Sequence, residues 1–413
     1  MREQETTFLV GYYDSIKRKK WDGIDALNEL KSLVKTSDLI EVGATLCEVR
    51  AINPATYLGS GKVLSLAEEI QKLNAQVVIF DGNLSPTQNR NLEELWKVKV
   101  LDRTSLILDI FALHAKSREG KMQVELAQYE YLLPRLVGAW THLSKQRGGG
   151  VGLRGPGETQ LEVDRRRVKE KISRIREEIK KMSCAREIQR RQRESVPMPT
   201  ITLVGYTNAG KSTLFNKVAE GAQVVEDKLF ATLDPKSKKM ELPSGQEIIL
   251  TDTVGFIRDL PHELVQAFHS TFEQVSLSSI LVHVVDVSHP QYRHRIEIVN
   301  NVLHDLHLDA IPVIVVANKI DQISADNESS SHLIQLSALD GKGIEVLLNR
   351  IDCVLSQKQK SMRLFFPHPY GALLSNLYHY GCVLLSKNTH KGVEVHVSLP
   401  EKWQRIYAAY AIS

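Results

Sequence analysis

One short stretch of the chain combines the residue types that hold a polyphosphate. Residues 201–218 read ITLVGYTNAGKSTLFNKV, an apolar segment that leads into Gly205, four further residues, and then Gly210, Lys211 and Ser212. Glycines let backbone N–H groups curl around a phosphate at the positive start of a helix. The lysine of such a loop contacts the β- and γ-phosphates, and the serine hydroxyl is a ligand of Mg²⁺. We therefore predict a strand, a phosphate loop and a helix here.

Two further motifs follow in chain order, each after an apolar segment typical of a strand. In DTVG, the Asp252 carboxylate can hold Mg²⁺ through a water, and the Gly255 N–H can sense a γ-phosphate. In NKID, after Asn318 and Lys319, the carboxylate of Asp321 can accept two hydrogen bonds from guanine that adenine cannot donate. This order predicts a Ras-like P-loop domain that binds GTP or GDP rather than ATP.

A fourth segment, IQLSALDGKG, matches the loop that backs guanine in such domains. The predicted nucleotide-contacting residues are Gly205, Tyr206, Thr207, Asn208, Ala209, Gly210, Lys211, Ser212, Thr213, Phe230, Ala231, Thr232, Asp252, Thr253, Val254, Gly255, Asn318, Lys319, Asp321, Ser337, Ala338 and Leu339. Of these, Lys211, Thr232 and Gly255 are assigned to catalysis. Ser212, Thr232 and, through a water, Asp252 are assigned to Mg²⁺.

Two positions bear on how fast GTP is hydrolysed. Thr232, in EDKLFATLDP, is the best candidate for a threonine that closes on Mg²⁺ and the γ-phosphate. Phe256 stands where Ras-like GTPases carry the glutamine that orients the attacking water, so slow intrinsic hydrolysis is expected. A backbone group, His262 or a partner could orient the water instead. Asn208 matches an asparagine associated with potassium in GTPases of the TrmE/Era class, which makes K⁺ a candidate second cation.

Composition places the chain among ordinary globular proteins. It has 413 residues, 42% of them hydrophobic, and no apolar run of the ~18 residues that a membrane helix requires. The first twenty residues lack the apolar core of a signal peptide, and the four cysteines have no metal-ligand spacing. We expect a cytoplasmic monomer, with peripheral membrane association left open.

Strand-like and helix-like segments alternate over the first 120 residues and again from Ile201, which predicts parallel sheets covered by helices. We expect an N-terminal α/β domain over 1–120, a helical hairpin over 121–195, the GTPase domain over 199–358 and a small α+β domain over 362–413. The second hairpin helix is expected at about 159–194. Pro134 predicts a kink or a break in the first one.

The glycine-rich segment KQRGGGVGLRGPGETQ lies between these two hairpin helices. Gly150 to Gly155 satisfies G-x-G-x-x-G, but a helical pattern precedes it where a dinucleotide turn needs a strand. Between Ser144 and Ser195 there are sixteen Lys and Arg against eight Asp and Glu, whereas the whole chain has a net charge of only +4. We predict that this tip binds RNA through Lys145, Arg147, Arg154, Arg165 and Arg166. For the last two, a merely solvated helix face is the alternative.

Several long strings resemble the HflX family of ribosome-associated GTPases. They are NPATYLGSGK, LSPTQNRNLE, VLDRTSLILDIFALHA, EGKMQVELAQYEYLLPRL and QRGGGVGLRGPGETQLEVDRRR, and the resemblance covers nearly the whole chain, not only the GTPase domain. Asn208 and Phe256 also match the family's pattern. The resemblance implies binding to the 50S subunit and its 23S rRNA, splitting of ribosomes in the GTP state under stress, and a hairpin that reaches the peptidyl-transferase region.

Three alternatives stay open on the sequence. The chain could be a GTP-switched factor for ribosome assembly or anti-association that binds RNA without splitting ribosomes. A metabolic enzyme is the more remote alternative, because the sequence shows no residues that indicate the chemistry of a second pocket. YLGSGK, residues 57–62, could be a second nucleotide site, but Thr56 replaces the first glycine of a phosphate loop, which favours a structural turn or an RNA-facing loop.

Overall fold

The computed structural model of the chain divides into two units. The N-terminal unit comprises Met1–Ala185, Asp227–Leu233 and Asp259–His269, and the C-terminal unit comprises Arg186–Glu226, Asp234–Arg258 and Ser270–Ser413. Within them the structure describes residues 5–14, 20–139, 160–193, 198–219, 230, 235–258, 275–323, 333–357, 359–367, 382–389, 392–400 and 407–412. Among these residues, no helix is both long and apolar enough to cross a membrane.

The N-terminal unit is built on a four-stranded parallel sheet, in the order β2-β1-β3-β4. The strands are β1 (Thr6–Asp14), β2 (Ile40–Val49), β3 (Val77–Phe80) and β4 (Lys99–Asp102). The helices are α1 (Lys20–Thr36), α2 (Ser60–Lys72), α3 (Pro86–Trp96), α4 (Arg103–His114), α5 (Arg118–Ala139) and α6 (Gln160–Arg193), the last of which begins in this unit. The predicted alternation of parallel strands and helices is confirmed. The wholly apolar VVIF of β3 is buried at all four positions, as expected of a strand covered on both faces.

Two helices of this unit start where a strand has just ended, and side chains cap both. The Ser85 hydroxyl accepts a hydrogen bond from the Gln88 N–H, while the Gln88 side chain accepts one from the Ser85 N–H. Asp102, the last residue of β4, accepts from the Ser105 N–H at 2.8 Å and caps α4. Such caps satisfy the N–H groups that a first helical turn leaves without a partner.

The two long helices α5 and α6 correspond to the predicted hairpin. Ion pairs join them, including Arg176–Glu130 at 2.6 Å and Arg118–Glu178 at 3.5 Å. The second helix was expected at about 159–194 and runs over Gln160–Arg193, so that prediction is confirmed. A kink or a break is expected at Pro134; α5 is continuous through the proline, so the break does not occur.

A fully buried arginine occupies the carboxyl edge of the N-terminal sheet. Arg103 donates to the carboxylate of Asp81 at 2.7 Å and to that of Glu29 at 2.6 Å, and the side chains of all three residues are less than a tenth exposed. Asp81 follows β3, Arg103 follows β4, and Glu29 lies on α1. The cluster therefore ties two strand ends to a covering helix.

Asp102 forms a second buried cluster that anchors α5 to the sheet. Its carboxylate accepts from the Tyr131 hydroxyl at 2.7 Å and from the Arg135 guanidinium at 3.0 Å. The Arg135 guanidinium also lies over the Tyr131 ring at 3.5 Å. Burial raises the pKa of the Asp102 carboxyl, and these donors oppose that rise. Because Tyr131 and Arg135 flank Pro134, their anchorage explains why the helix continues through the proline.

The C-terminal unit contains a six-stranded sheet in the order β10-β9-β8-β5-β7-β6. The strands are β5 (Thr200–Gly205), β6 (Lys236–Glu241), β7 (Glu247–Asp252), β8 (Ile280–Asp286), β9 (Val313–Asn318) and β10 (Ile334–Gln335). The helices are α7 (Lys211–Val218), α8 (Tyr292–Asp305) and α9 (Ile344–Gln357). All neighbouring strands are parallel except β6, which runs antiparallel to β7. The parallel strands bring their carboxyl ends to one edge of the sheet.

The two outer strands of this sheet differ from the inner ones. β6 reads KSKKME, and its side chains are exposed at all positions but one. Lys239 of this strand pairs with Glu247 of β7 at 2.7 Å. At the opposite edge, β10 is only two residues long. The inner strands supply the apolar core, as in β8, where six of seven residues are buried.

A three-stranded antiparallel sheet follows α9, in the order β11-β13-β12. The strands are β11 (Gln359–Pro367), β12 (Cys382–Thr389) and β13 (Gly392–Pro400). Its core is formed by Leu364, Phe366, Val395, Val397 and Tyr407. β12 and β13, the two strands on either side of residues 390–391, pair antiparallel.

Candidate functional site

The phosphate loop lies between β5 and α7, at the carboxyl edge of the six-stranded sheet. Gly205 has φ +151°, and a Cβ there would lie 2.3 Å from the Val284 carbonyl oxygen. Gly210 has φ +91°, and a Cβ there would lie 2.2 Å from the Asn318 side-chain nitrogen. Only glycine fits at both positions, because the neighbouring groups approach too closely and the backbone is left-handed.

Lys211 begins α7 with its side chain folded back over the loop. Its Nζ donates to the Gly205 carbonyl at 3.1 Å and to the Tyr206 carbonyl at 2.8 Å. Burial lowers the pKa of Lys211 to about 8, and the Asp252 carboxylate offsets part of that change. An anionic ligand beside this buried ammonium would compensate the charge that burial penalises.

Ser212 and Asp252 supply the oxygen ligands that a hard cation prefers. The Ser212 hydroxyl donates to the Asp252 carboxylate at 2.7 Å, and the Asp252 side chain is fully buried at the end of β7. A hydroxyl and a carboxylate side by side, next to a phosphate loop, fit Mg²⁺. The Thr253 hydroxyl instead donates to the Leu203 carbonyl at 2.7 Å, which holds the start of DTVG against β5.

The segment after Asp252 is joined to the phosphate loop by its backbone. Phe256 donates its N–H to the Gly205 carbonyl at 3.0 Å, and its carbonyl accepts from the Thr207 N–H at 2.7 Å. The Tyr206 hydroxyl accepts from the Arg258 N–H at 2.9 Å. The two loops that would surround a γ-phosphate are thus held as one piece in the described residues.

The guanine side of the site is linked to the phosphate side through Asn318. Its side-chain nitrogen donates to the Ala209 carbonyl at 2.7 Å, and its side-chain oxygen accepts from the Ala338 N–H at 2.9 Å. The Ser337 hydroxyl donates to the Asp321 carboxylate at 2.6 Å and so orients it. One amide therefore fixes the spacing between the phosphate loop and the base-recognition loops.

The other base-side residues differ in exposure. Lys319 has φ +65° and pairs with Asp286 at 2.8 Å. Leu339 is 70% exposed, so its backbone rather than its side chain is available to define the loop. Asn208, in the phosphate loop, is exposed with φ +58°, a conformation that asparagine tolerates better than most residues. Thr213 and Val254 flank the metal-binding pair, half-buried and buried respectively.

A buried histidine lies behind the phosphate loop. His283, on β8, is 1% exposed, and its Nδ1 has no hydrogen-bond partner among the described residues. Burial lowers the pKa of His283 to about 4, and the positive charge of Lys211 lowers it further in the same direction. The imidazole is therefore neutral at physiological pH.

Several predicted site residues are not part of the site that the described residues form. Phe230 belongs to the N-terminal unit, where its buried ring packs edge-on against Phe111 with the centroids 4.6 Å apart. Ala231, Thr232, His262, Lys145, Arg147 and Arg154 lie outside the described residues. Arg165 and Arg166 are exposed on α6, and Arg166 lies 4.0 Å from Glu170, as on a solvated helix face.

Sequence reasoning missed two features of the site. The sequence assigned Tyr206 only to nucleotide contact. In the structure its ring also lies 4.8 Å from the Arg295 guanidinium of α8, and its hydroxyl accepts a hydrogen bond from the Arg258 N–H. Sequence reasoning also overlooked His283, although a lone histidine inside the apolar run ILVHVVD is an unusual residue for a central strand. Neither signal reveals its partner without the structure.

The fold and this geometry define a P-loop GTPase domain, and comparisons with known proteins agree. Residues 25–112 match the family described as GTP-binding GTPase N-terminal, and residues 114–193 match GTP-binding GTPase Middle Region. Residues 200–319 match the family described as 50S ribosome-binding GTPase.

Curated relatives extend the match over nearly the whole chain, and three of them carry the name GTPase HflX. The one from Caldanaerobacter subterraneus subsp. tengcongensis is 43% identical, over 95% of this chain and 91% of its own. The one from Escherichia coli is 41% identical, over 93% and 92%. The one from Magnetococcus marinus is 45% identical, over 85% and 83%. The chain belongs to the GTPase HflX family, which confirms the resemblance seen in its sequence.

Proposed function

We propose that this chain binds GTP at the edge formed by β5, β7 and β9, hydrolyses it slowly, and uses the GTP state to act on the large ribosomal subunit. The observation that carries the proposal is the double contact of Asn318 with Ala209 and Ala338. This contact supports the proposal because it joins the phosphate loop to the segment of Ser337, whose hydroxyl orients the carboxylate that would recognise guanine.

The residues of the site divide the work of phosphoryl transfer. The phosphate-loop N–H groups and Lys211 bind the β- and γ-phosphates and stabilise the charge that develops as the terminal phosphate leaves. Gly255, whose backbone packs beside Lys211 Nζ, offers its N–H to the γ-phosphate. Thr232 is the candidate, from its sequence position, for the threonine that closes on Mg²⁺ and the γ-phosphate. Asp321, oriented by Ser337, reads the guanine edge.

Ser212 and Asp252 would hold Mg²⁺, which neutralises phosphate charge when it is bound. Asn208 remains the candidate ligand for K⁺, which would add positive charge near the β- and γ-phosphates. Turnover in KCl and in NaCl at equal ionic strength tests this role. Equal rates in the two salts would exclude it.

Two lines support the ribosome as partner. Residues 200–319 match a family described as 50S ribosome-binding, and the curated relatives share almost the full chain. In addition, α6 continues a segment in which basic residues outnumber acidic ones two to one. Lys and Arg of such a segment neutralise RNA phosphates and make binding fall with salt concentration. We place the RNA contact at Lys145, Arg147 and Arg154, with Arg165 and Arg166 behind them.

One sedimentation experiment separates splitting from the alternative, a GTP-switched assembly or anti-association factor. Intact ribosomes are mixed with the full-length protein and a non-hydrolysable GTP analogue, then centrifuged through a gradient. We expect free subunits, with the protein on the large one. Binding only to subunits separated beforehand would support the alternative, and no binding to either would contradict the ribosomal role.

A matched pair of variants tests the RNA contact. Arg147→Glu with Arg154→Glu should weaken large-subunit binding and leave GTP affinity unchanged. Lys35→Glu with Lys72→Glu makes the same change in charge at two exposed helix ends of the N-terminal unit and should bind like the parent. Equal binding by both variants would remove the tip from the interface.

A further inference from the structure

The hydrolysis machinery of this site lacks its usual water-orienting side chain. Phe256 is only 2% exposed, and both of its backbone groups are engaged by the phosphate loop. A phenyl ring has no hydrogen-bonding atom, so it cannot hold a water in line with the γ-phosphorus. Another group must do so if the chain hydrolyses GTP at all.

The Thr207 hydroxyl differs from the other hydroxyls around the phosphate loop. Those of Thr202, Ser212, Thr253 and Ser337 all have hydrogen-bond partners between 2.5 and 2.7 Å away. Thr207 is 3% exposed, and its hydroxyl oxygen is buried with no partner among the described residues. A buried polar group without a partner destabilises the folded chain, so this hydroxyl requires an explanation.

The surroundings of Thr207 indicate which end of the nucleotide it faces. A Cβ added to Gly255 would lie 2.9 Å from each of three atoms: Thr207 Cα, Thr207 Cγ2 and Lys211 Nζ. The Thr207 methyl carbon, the lysine ammonium and the Gly255 backbone thus lie close together, and the Thr207 hydroxyl is bonded to the same Cβ as that methyl carbon. Since the lysine of a phosphate loop contacts the β- and γ-phosphates, that point lies at the γ-phosphate end of the site.

We propose that the Thr207 hydroxyl orients the water that attacks GTP, in place of the glutamine that Phe256 replaces. This rests on the GTPase function proposed above. The hydroxyl oxygen accepts a hydrogen bond from the water, and the hydroxyl proton is donated to a γ-phosphate oxygen. The water oxygen bonds to the γ-phosphorus as the bond to the β–γ bridging oxygen breaks. GDP leaves with that electron pair, the proton of the water passes to a phosphate oxygen, and Thr207 is unchanged.

The test removes the hydroxyl while keeping the shape of the side chain. Thr207→Val in the full-length protein should slow single-turnover release of phosphate from saturating GTP by ~10²-fold, the effect of losing one positioned hydrogen-bonding group. The affinity for GDP, which has no γ-phosphate, should stay at the parent value, whereas GDP with aluminium fluoride should bind the variant more weakly. Thr207→Ser keeps the hydroxyl and should restore both hydrolysis and aluminium fluoride binding.

Thr202→Val is the matched control, because it removes a buried hydroxyl from the same strand–loop segment but one that bonds to Ser278. It should melt at a lower temperature without any change in hydrolysis at saturating GTP. Parent-like hydrolysis by Thr207→Val would overturn the proposal. So would a loss of GDP affinity in Thr207→Val that Thr207→Ala shares, because the side chain would then serve binding. If the parent protein does not hydrolyse bound GTP, the result contradicts the proposed GTPase function itself.

Discussion

The two parallel sheets of this protein use their carboxyl edges in opposite ways. In the N-terminal sheet, charged side chains at the ends of β3 and β4 are neutralised by other side chains of the same unit. In the C-terminal sheet, the corresponding edge carries glycines, a buried ammonium and hydroxyls, arranged around a phosphate loop.

The difference lies in what balances the charge. Arg103 is matched by Asp81 and Glu29, and Asp102 by Arg135 and the Tyr131 hydroxyl. Lys211, by contrast, has two backbone carbonyls as its nearest partners, and burial lowers its pKa to about 8. At the carboxyl edge of the N-terminal sheet, the charges are neutralised by side chains of the same unit, which join the strand ends to the covering helices. At the C-terminal edge, a bound anion would be needed to balance the charge of Lys211.

Asp321→Asn should give the largest effect and should act on the C-terminal unit alone. The amide would place a donor where guanine also has donors, so GTP affinity should fall by about 10³-fold or more. Xanthosine triphosphate, which carries an oxygen at that position, should gain affinity. Titration with both nucleotides measures the exchange. Unchanged GTP binding would contradict the role of Asp321, and unchanged melting would show that the site contributes little to stability.

Arg103→Met is the reciprocal test on the N-terminal unit. It leaves two buried carboxylates without their cation, which should lower the free energy of unfolding by about 3–5 kcal/mol. GTP affinity should be retained in protein that remains folded. Arg50→Met is the control, because its pair with Glu48 is exposed and should contribute little. Equal free energies of unfolding for the two variants, measured by denaturant titration, would contradict the role of the Arg103 cluster in joining the strand ends to α1.

Because His283 is buried in the C-terminal sheet, the stability of this unit should depend on pH. Its pKa is about 4 in the folded chain against an ordinary value of 6.5, so the unfolded chain takes up a proton first as the pH falls. Stability is complete above pH 6.5 and should drop by about 3 kcal/mol on acidification to pH 4. His283→Phe should flatten this part of the pH profile, whereas the exposed His294→Gln should not. A parent-like slope in His283→Phe would assign the loss to other groups.

Tyr131→Phe should give the smallest effect and sharpen the account of α5. It removes one hydrogen bond to a buried carboxylate, which should cost about 1.5–3 kcal/mol of unfolding free energy. Tyr129→Phe, on the same helix, removes only a contact with the exposed Lys171 and should be nearly neutral. Comparable losses in both variants would mean that the Asp102 cluster has no special part in anchoring the helix.

The phosphate loop, DTVG and NKID could be found from sequence because each is a local pattern at the end of an apolar strand. The Arg103 cluster could not be predicted from the sequence, because its members are far apart along the chain: Asp81 and Arg103 by 22 residues, Glu29 and Arg103 by 74. The same limit explains why the sequence offered a break as well as a kink at Pro134, where the helix is continuous. Helix propensity at a proline is local, but the anchors that carry α5 through it bind a residue of β4.

The edges of the six-stranded sheet have a consequence for the behaviour of the protein in solution. An exposed sheet edge offers backbone groups that another chain can pair with, which leads to aggregation. β6 opposes this with three lysines, which would be forced together or against other charges by an added strand. β10, with two residues, is too short to template one. Both edges of the sheet that carries the nucleotide site therefore disfavour edge-to-edge pairing with a strand of another chain.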